Sequence, residues 1–421
     1  MTAMPHEMIP PHALFAAELS PGGAKYLPDR ERAGNALCLS GGGYRATLLH
    51  LGAIRRLNEL GVLGAIDEIS AVSGGSVMAA QLGAALVALG GSLPDGGIPA
   101  AEFDRRVALP IRAFTARNIR TGAIATRLAP WNWNDDDAGV EALARQYEHH
   151  LTPLALRELP PRPVFTFCAT DMAFGTAWTF RRDAMGDEQA GYGETPLGMT
   201  IGRAVAASSC FPPVFNPLRM ELDPASLSGG AYLAEDRERC VRGLRLTDGG
   251  NYDNLGLEPV WRQRAAVLVS DGGGTFEYEA DRGLAWRVER YTAIIENQAR
   301  ALRKRWLLAG YLTQVFAGAF WGIASGTASY RDGFPGYPEA FAKQAIAKVR
   351  TDFDAFSPGE QGVLENHGYS LAEVAIKVHA PHLVRRDAAF VAPAPALDWH
   401  NMPAAEEALR DSGRRSWLGR G

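Results

Sequence analysis

The run Ala36-Leu37-Cys38-Leu39-Ser40-Gly41-Gly42-Gly43 and the run from Ile66 to Val72, closed by Ser73-Gly74-Gly75, decide the architecture. Each is a short apolar stretch that stops at glycine, with a helical pattern behind it. After the first, Leu49, Ala53, Leu57 and Leu60, with Ile54 beside them, fall on one face of a helix ending near Gly61. After the second, an Ala-rich apolar helix runs from Ser76 to Leu89 and closes at Gly90-Gly91. Strand, glycine turn and helix, twice in succession, predict an α/β fold whose mostly parallel sheet is covered by helices. Both turns then lie at the carboxyl ends of strands, where open α/β sheets place their ligands.

Working outward, further strands are expected at Val164–Ala169, Thr176–Phe180, Gly243–Leu246 and Ala266–Ser270. Residues 1–34 are Pro-rich and read as an N-terminal arm. Residues 35–275 read as one domain, with a helical insertion at about 101–155 that carries Trp131-Asn132-Trp133. Residues 276–421 read as a mostly helical region packing on it, and no internal repeat is present.

Composition narrows the class. Hydrophobic residues make up 47% and charged residues 21% of the 421, which excludes a disordered or fibrous chain. Lys plus Arg number 43 against 47 for Asp plus Glu, so no basic field awaits nucleic acid. Cys38, Cys168, Cys210 and Cys240 form no CxxC pair and have no His spaced to complete a zinc site, so no metal is expected. Scattered single thiols and an N-terminus without a basic, apolar leader point to a cytoplasmic setting.

Three elements can carry chemistry. Ser73 lies between a strand and a helix, where a nucleophile elbow exposes a hydroxyl to the positive end of a helix. Ala71 stands where G-x-S-x-G has glycine, and a simple Ser N-cap explains the same position without chemistry. Gly41, Gly42 and Gly43 let backbone N–H groups converge on an anion, either a nucleotide phosphate or an oxyanion. A ribose-binding acid about 20 positions on, as dinucleotide sites require, is missing; the Ser73 turn occupies that place. An oxyanion hole therefore accounts for both turns, while a nucleotide-dependent oxidoreductase accounts for one. Asp248-Gly249-Gly250 offers a carboxylate at a strand end, although an Asx-turn would look the same and Asp271-Gly272-Gly273 repeats it.

In this order the elements resemble the patatin-like phospholipases, kin of the group IV cytosolic phospholipases. The matching residues are Gly41-Gly42-Gly43-Tyr44-Arg45, Val72-Ser73-Gly74-Gly75 and Asp248-Gly249-Gly250. The likeness continues in Ala169-Thr170-Asp171, in Ala204-Val205-Ala206-Ala207-Ser208-Ser209 before Phe211-Pro212-Pro213, and in Asn366-His367-Gly368-Tyr369. It implies a three-layer patatin-like fold and a lipid acyl hydrolase of the phospholipase A or lysophospholipase type, without cofactor. The implied dyad is Ser73 and Asp248, the oxyanion hole Gly41, Gly42 and Gly43, and the supporting residues Arg45, Gly74, Gly75, Gly249 and Gly250. Asp248 is preferred to Asp271 because Asp253-Asn254-Leu255-Gly256 completes the family's D-G-G-x-x-D-N-x-G. Arg45 reads either as a phosphate ligand or as a structural ion pair. None of the nine histidines sits in a small-residue turn at a strand end, and His50 falls inside the first helix. A catalytically silent, membrane-binding scaffold of the same fold is the second reading.

Residues 306–324 are apolar and follow Arg303-Lys304-Arg305. Leu308, Tyr311, Leu312, Val315, Phe316, Ala319, Phe320 and Ile323 share a helical stripe, which predicts a helix packed on protein. An interfacial or acyl-channel element and a membrane span are the alternatives. With Trp131 and Trp133, this segment is the expected contact with a lipid surface, peripheral at the inner membrane face.

Overall fold

The computed structural model describes residues 31–412 except 95–96, 133–134, 213–214, 233 and 277–279, and side chains are not described at 234, 235, 285, 288 and 289. Residues 1–30, Trp133 and Pro213 thus lie outside the described residues. Among those described, ten strands form one sheet: β1 (Asn35–Leu39), β2 (Glu68–Val72), β3 (Val164–Asp171), β4 (Thr176–Phe180), β5 (Ala184–Asp187), β6 (Gly191–Glu194), β7 (Leu218–Arg219), β8 (Arg245–Asp248), β9 (Ala266–Asp271) and β10 (Ala317–Gly322). The order is β10-β9-β1-β2-β3-β4-β5-β6, parallel from β10 to β3 and antiparallel beyond. β7 and β8 form a short ribbon against β3.

The period-2 alternation of β1 explains why the sheet is covered on both faces. Leu37 and Leu39 point into the larger core, while Ala36 and Cys38 point into a smaller one with Val267, Val269, Leu307 and Phe316. The helices packed about the sheet include α1 (Gly43–Glu59), α2 (Gly74–Ala88), α3 (Ala138–His150), α4 (Ile201–Ser209), α5 (Leu284–Leu312) and α6 (Pro358–His379). α1 is buried almost all round because α6 lies across the face that the sheet leaves open. Gly52 and Gly368 sit at that crossing; a Cβ on Gly52 would come within 1.8 Å of the Glu365 carbonyl, and one on Gly368 equally close to that of Leu49. The tail is thereby packed into the main body.

All six strands expected from the sequence are present. β5 and β6, Ala-Met-Gly-Asp and Gly-Tyr-Gly-Glu, are too short and glycine-rich to show alternation. The helical stripe over 306–324 is corrected. α5 ends at Leu312, Gln314 turns the chain at φ 58°, and Ala317–Gly322 becomes the edge strand β10, parallel to β9. The second part of the segment is therefore a mostly buried strand that carries Ala319 and Phe320 of the stripe, since an apolar run with Gly318 and Gly322 satisfies a sheet edge as well as a helix. Among the described residues no helix is long and apolar enough to cross a membrane.

Candidate active site

The second glycine turn makes a strained elbow. Ser73 has φ 50° and ψ −116°, a conformation a side-chain-bearing residue rarely adopts, and α2 begins at the next residue. Gly74 permits this because α2 starts against the first glycine loop: a Cβ there would lie 2.1 Å from the Gly43 carbonyl. The Ser73 N–H is held at 2.9 Å by Ser208 Oγ, which itself donates to the Cys168 carbonyl at 2.6 Å and lies 2.8 Å from Ser76 Oγ. One α4 hydroxyl thus fastens the elbow to β3.

Strand register delivers the partner. β3 pairs with β2 over Val164–Cys168 and, beyond the end of β2, with β8 over Ala169–Asp171. Its opposite edge is taken by β4. β8 therefore occupies the same lane as β2 and runs towards it, so Asp248 at the end of β8 meets Ser73 at the end of β2. The Ser73 hydroxyl faces the Asp248 carboxyl closely enough to be one of the groups that hold its pKa down. Burial pushes the Asp248 carboxyl up to about 7, against the opposing pull of the Gly250 N–H at 2.7 Å and the Ser73 hydroxyl. Glu296 adds a smaller upward push. Gly249 closes the turn on Ser208, whose carbonyl accepts its N–H at 3.3 Å.

The first glycine loop divides the expected roles. The Gly41 N–H is bound by the Asn254 carbonyl at 3.1 Å, so it is engaged in the fold. The N–H groups of Gly42 and Gly43, at the start of α1, have no acceptor among the described residues, as the free donors of a helix N-terminus should. Both residues need positive φ, 143° and 57°. Arg45 is buried and binds main chain: Nε and Nη2 donate to the Gly272 carbonyl at 3.2 and 2.9 Å, and Nη1 to those of Ala347 and Val349 at 2.8 Å each. It clamps the loop to the tail and is not among the residues lining the cleft.

The second Asp-Gly-Gly differs in its surroundings. Burial alone would raise the Asp271 carboxyl, but Lys304, 2.5 Å away, and Arg300 bring it down to about 2. A carboxylate so paired is a poor proton acceptor. Asp253 braces the Asp248 turn, accepting N–H bonds from Leu255, Leu257 and Glu258 at 3.1, 2.6 and 2.8 Å. His50 is buried beneath the loop, 2.8 Å from Ser270 Oγ and 2.9 Å from the Ser40 carbonyl, and burial lowers it to about 4. No histidine lines the cleft among the described residues.

Ser73, Asp248, Gly42, Gly43 and Gly250 open into one cleft of about 480 Å³. Phe211, Phe215 and Phe353 contribute apolar surface, and α5 contributes Glu296, Asn297 and Arg300. The sequence profile described as patatin-like phospholipase matches residues 37–261, more than half of the chain. The chain belongs to the patatin-like phospholipase family. No curated protein sequence matches it. Among solved structures, human GIVD cytosolic phospholipase A2 aligns at 14% identity with a TM-score of 0.36, over 59% of this chain and 47% of that one. In complex with methyl gamma-linolenyl fluorophosphonate the human protein gives 13% and 0.38, over 90% and 60%. VipD from Legionella pneumophila gives 16% and 0.35, over 84% and 68%. This chain thus spans about half the length of the first human structure.

Within this patatin-like cleft the sequence missed two kinds of residue. Ser208 was visible only as part of a family-like stretch; nothing local shows that its hydroxyl reaches the elbow. Arg300 and its neighbours sit in a charged helix with no motif, and only the path of α5 over the strand ends brings them to Ser73.

Proposed function

We propose that the protein hydrolyses carboxylic esters of lipids through a Ser73–Asp248 dyad. Ser73 Oγ attacks the ester carbonyl carbon as its proton passes to the Asp248 carboxylate. The N–H groups of Gly42 and Gly43 receive the oxyanion, and Asp248 returns the proton to the departing alkoxide. Water, losing its proton to Asp248, then attacks the acyl-enzyme; Asp248 passes that proton to Ser73 Oγ as its bond to the acyl carbon breaks, which frees the fatty acid and restores the enzyme. The carrying observation is that the Ser73 hydroxyl and a buried Asp248 carboxyl pushed up to about 7 face one another in one cleft, with no histidine among its described lining residues. An Asp at its ordinary value would be too weak a base; one raised by burial is matched to a serine proton transfer near neutrality. Phe211, Phe215 and Phe353 are suited to an acyl chain, and the exposed residues Leu284, Tyr291, Ile295 and Leu302 of α5 to the lipid surface that presents it.

Mass spectrometry of phospholipids, lysophospholipids, neutral glycerides and short esters incubated with the protein tests the reading. Free fatty acid from lipid esters supports it; an intact mixture overturns it and favours the silent scaffold. Because the base is the ionised carboxylate, kcat/KM is expected to fall tenfold per pH unit well below 7 and to level off above it. A profile still flat at pH 5 would remove Asp248 from the reaction.

The glycine loop is expected to act through backbone direction. Gly42→Ala places a Cβ 2.6 Å from the Gly272 carbonyl at a φ that alanine avoids. Loss of an aligned donor should lower kcat by about 10²–10³-fold with a smaller change in KM, read by steady-state kinetics on a soluble ester. A change confined to KM would assign the loop to ground-state binding.

A further inference from the structure

The cleft has an exposed mouth and a buried inner end. Phe211 is 44% exposed, whereas Phe215 and Phe353 are 5% and 6% exposed and Ser209 is fully buried. The last three therefore line the inner end. The Phe353 ring faces the cleft on one side and is braced on others by Tyr44 and Tyr147, with ring centres 5.3 and 6.3 Å away and planes at 76° and 87°. Both tyrosines continue to Phe114, at 5.5 and 5.9 Å, and Tyr44 also to Phe356 at 6.0 Å. Phe353 is thus the cleft-side member of a buried aromatic cluster.

Main-chain bonds fix where that ring stands. The Phe353 carbonyl accepts the Ile119 N–H at 3.2 Å, and the Asp352 carbonyl accepts the Tyr44 N–H, also at 3.2 Å. Tyr44 follows Gly43, where a Cβ would lie 2.5 Å from the Thr351 carbonyl, and Gly43 in turn abuts Gly74 beside Ser73. The ring is therefore carried by a segment in contact with the glycine loop. Ser209 adds no free donor to the inner end: its hydroxyl donates to the Val205 carbonyl at 2.7 Å and lies 2.9 Å from the Tyr147 hydroxyl. A blind, apolar end of this kind measures a chain. An acyl group that enters it leaves water one methylene at a time, each contributing about fourfold to kcat/KM. At the wall the gain stops, because a ring braced edge-on by two others does not yield to a further methylene without strain.

Resting on the proposed ester hydrolysis at Ser73, we infer that Phe353 is the end wall of the acyl pocket and sets the length of acyl chain that the cleft encloses. Chains that stop short of the ring gain from every added methylene. Longer chains leave their further carbons in water and gain nothing from them. Selection then acts through reach, and it depends on one side chain contributed by the tail rather than by the strand–glycine–helix units that carry the dyad.

Steady-state kcat/KM on monomeric 4-nitrophenyl esters, from the butanoate to the dodecanoate, tests the wall. For the wild-type protein it should rise about fourfold per methylene and then break at one chain length. Phe353→Ala removes the ring and should move the break to longer chains by about two carbons or more, since such a hole closes only partly. Phe353→Leu should move it less and in the same direction, and it keeps the test open should the alanine variant fail to fold. Phe211→Ala, at the exposed mouth, should leave the break in place. Loss by one factor at every chain length in the Phe353 variants would give the ring a structural role alone. That result, an unbroken rise in the wild-type protein, or a break that moves as far in Phe211→Ala overturns the inference while ester hydrolysis stands. If the wild-type protein cleaves none of the esters, the proposed function fails with it.

Discussion

Ser73→Ala is expected to lower lipid ester hydrolysis by about 10⁴-fold or more, as removal of a serine nucleophile generally does. The fold should survive. Alanine keeps the Cβ and removes one oxygen, and the backbone bond from residue 73 to Ser208 Oγ is untouched. The strained φ of 50° is no worse for alanine than for serine. A second consequence follows at Asp248. The serine hydroxyl is one of the groups holding that carboxyl down, so its loss should raise the Asp248 pKa further. A fluorophosphonate should label the wild-type protein and leave the variant unmarked. Wild-type turnover in a folded Ser73→Ala protein would end the serine assignment.

Asp248→Asn is expected to be nearly as damaging to turnover and, at neutral pH and above, to make the protein more stable. The amide cannot accept the serine proton. The stability effect follows from linkage: the Asp248 carboxyl titrates near 3.8 when exposed and near 7 when folded, so between those values the folded state holds the extra proton. Its favourable contribution is complete below about 4 and is lost as pH rises through 7, leaving a buried anion. Asparagine has no such loss. The difference in Tm between variant and wild type should therefore grow from pH 4 to pH 7 and then level off. Asp271→Asn should do the reverse. Its folded value lies below its exposed one, so its contribution is present above about 4 and lost as pH falls towards 2, and the amide would strand Lys304 and Arg300. Thermal melts of both variants across pH 4–8 decide between the two Asp-Gly-Gly turns. Equal effects would mean that their surroundings do not differ as described.

These opposite expectations show where sequence reading stops. Asp248 and Asp271 sit in the same tripeptide at the ends of successive strands, β8 and β9, and local pattern cannot rank them. The family's longer motif favoured Asp248. The physical difference is that α5 returns over the sheet and sets Lys304 beside Asp271, while Asp248 is buried with no cation paired to it among the described residues. The apolar run at 306–324 shows the other limit. Its hydrophobicity was legible, but whether it formed helix or strand depended on an open edge at β9 that no local window reports.

The sequence by itself determined the strand–glycine–helix units, the parallel core and the residues at its turns, because period, glycine and chain order are local and survive any packing. It also determined that Ser73, the Gly41–Gly43 loop and Asp248 were candidates for one site. Only the tertiary structure decided that they meet. The lane shared by β2 and β8 brings Ser73 and Asp248 together, the Asn254 carbonyl takes the Gly41 N–H from the loop's free donors, and burial pushes the Asp248 carboxyl up to about 7. Each of these depends on residues far apart in the chain, since strand register, hydrogen-bond partners and desolvation are properties of the packed molecule.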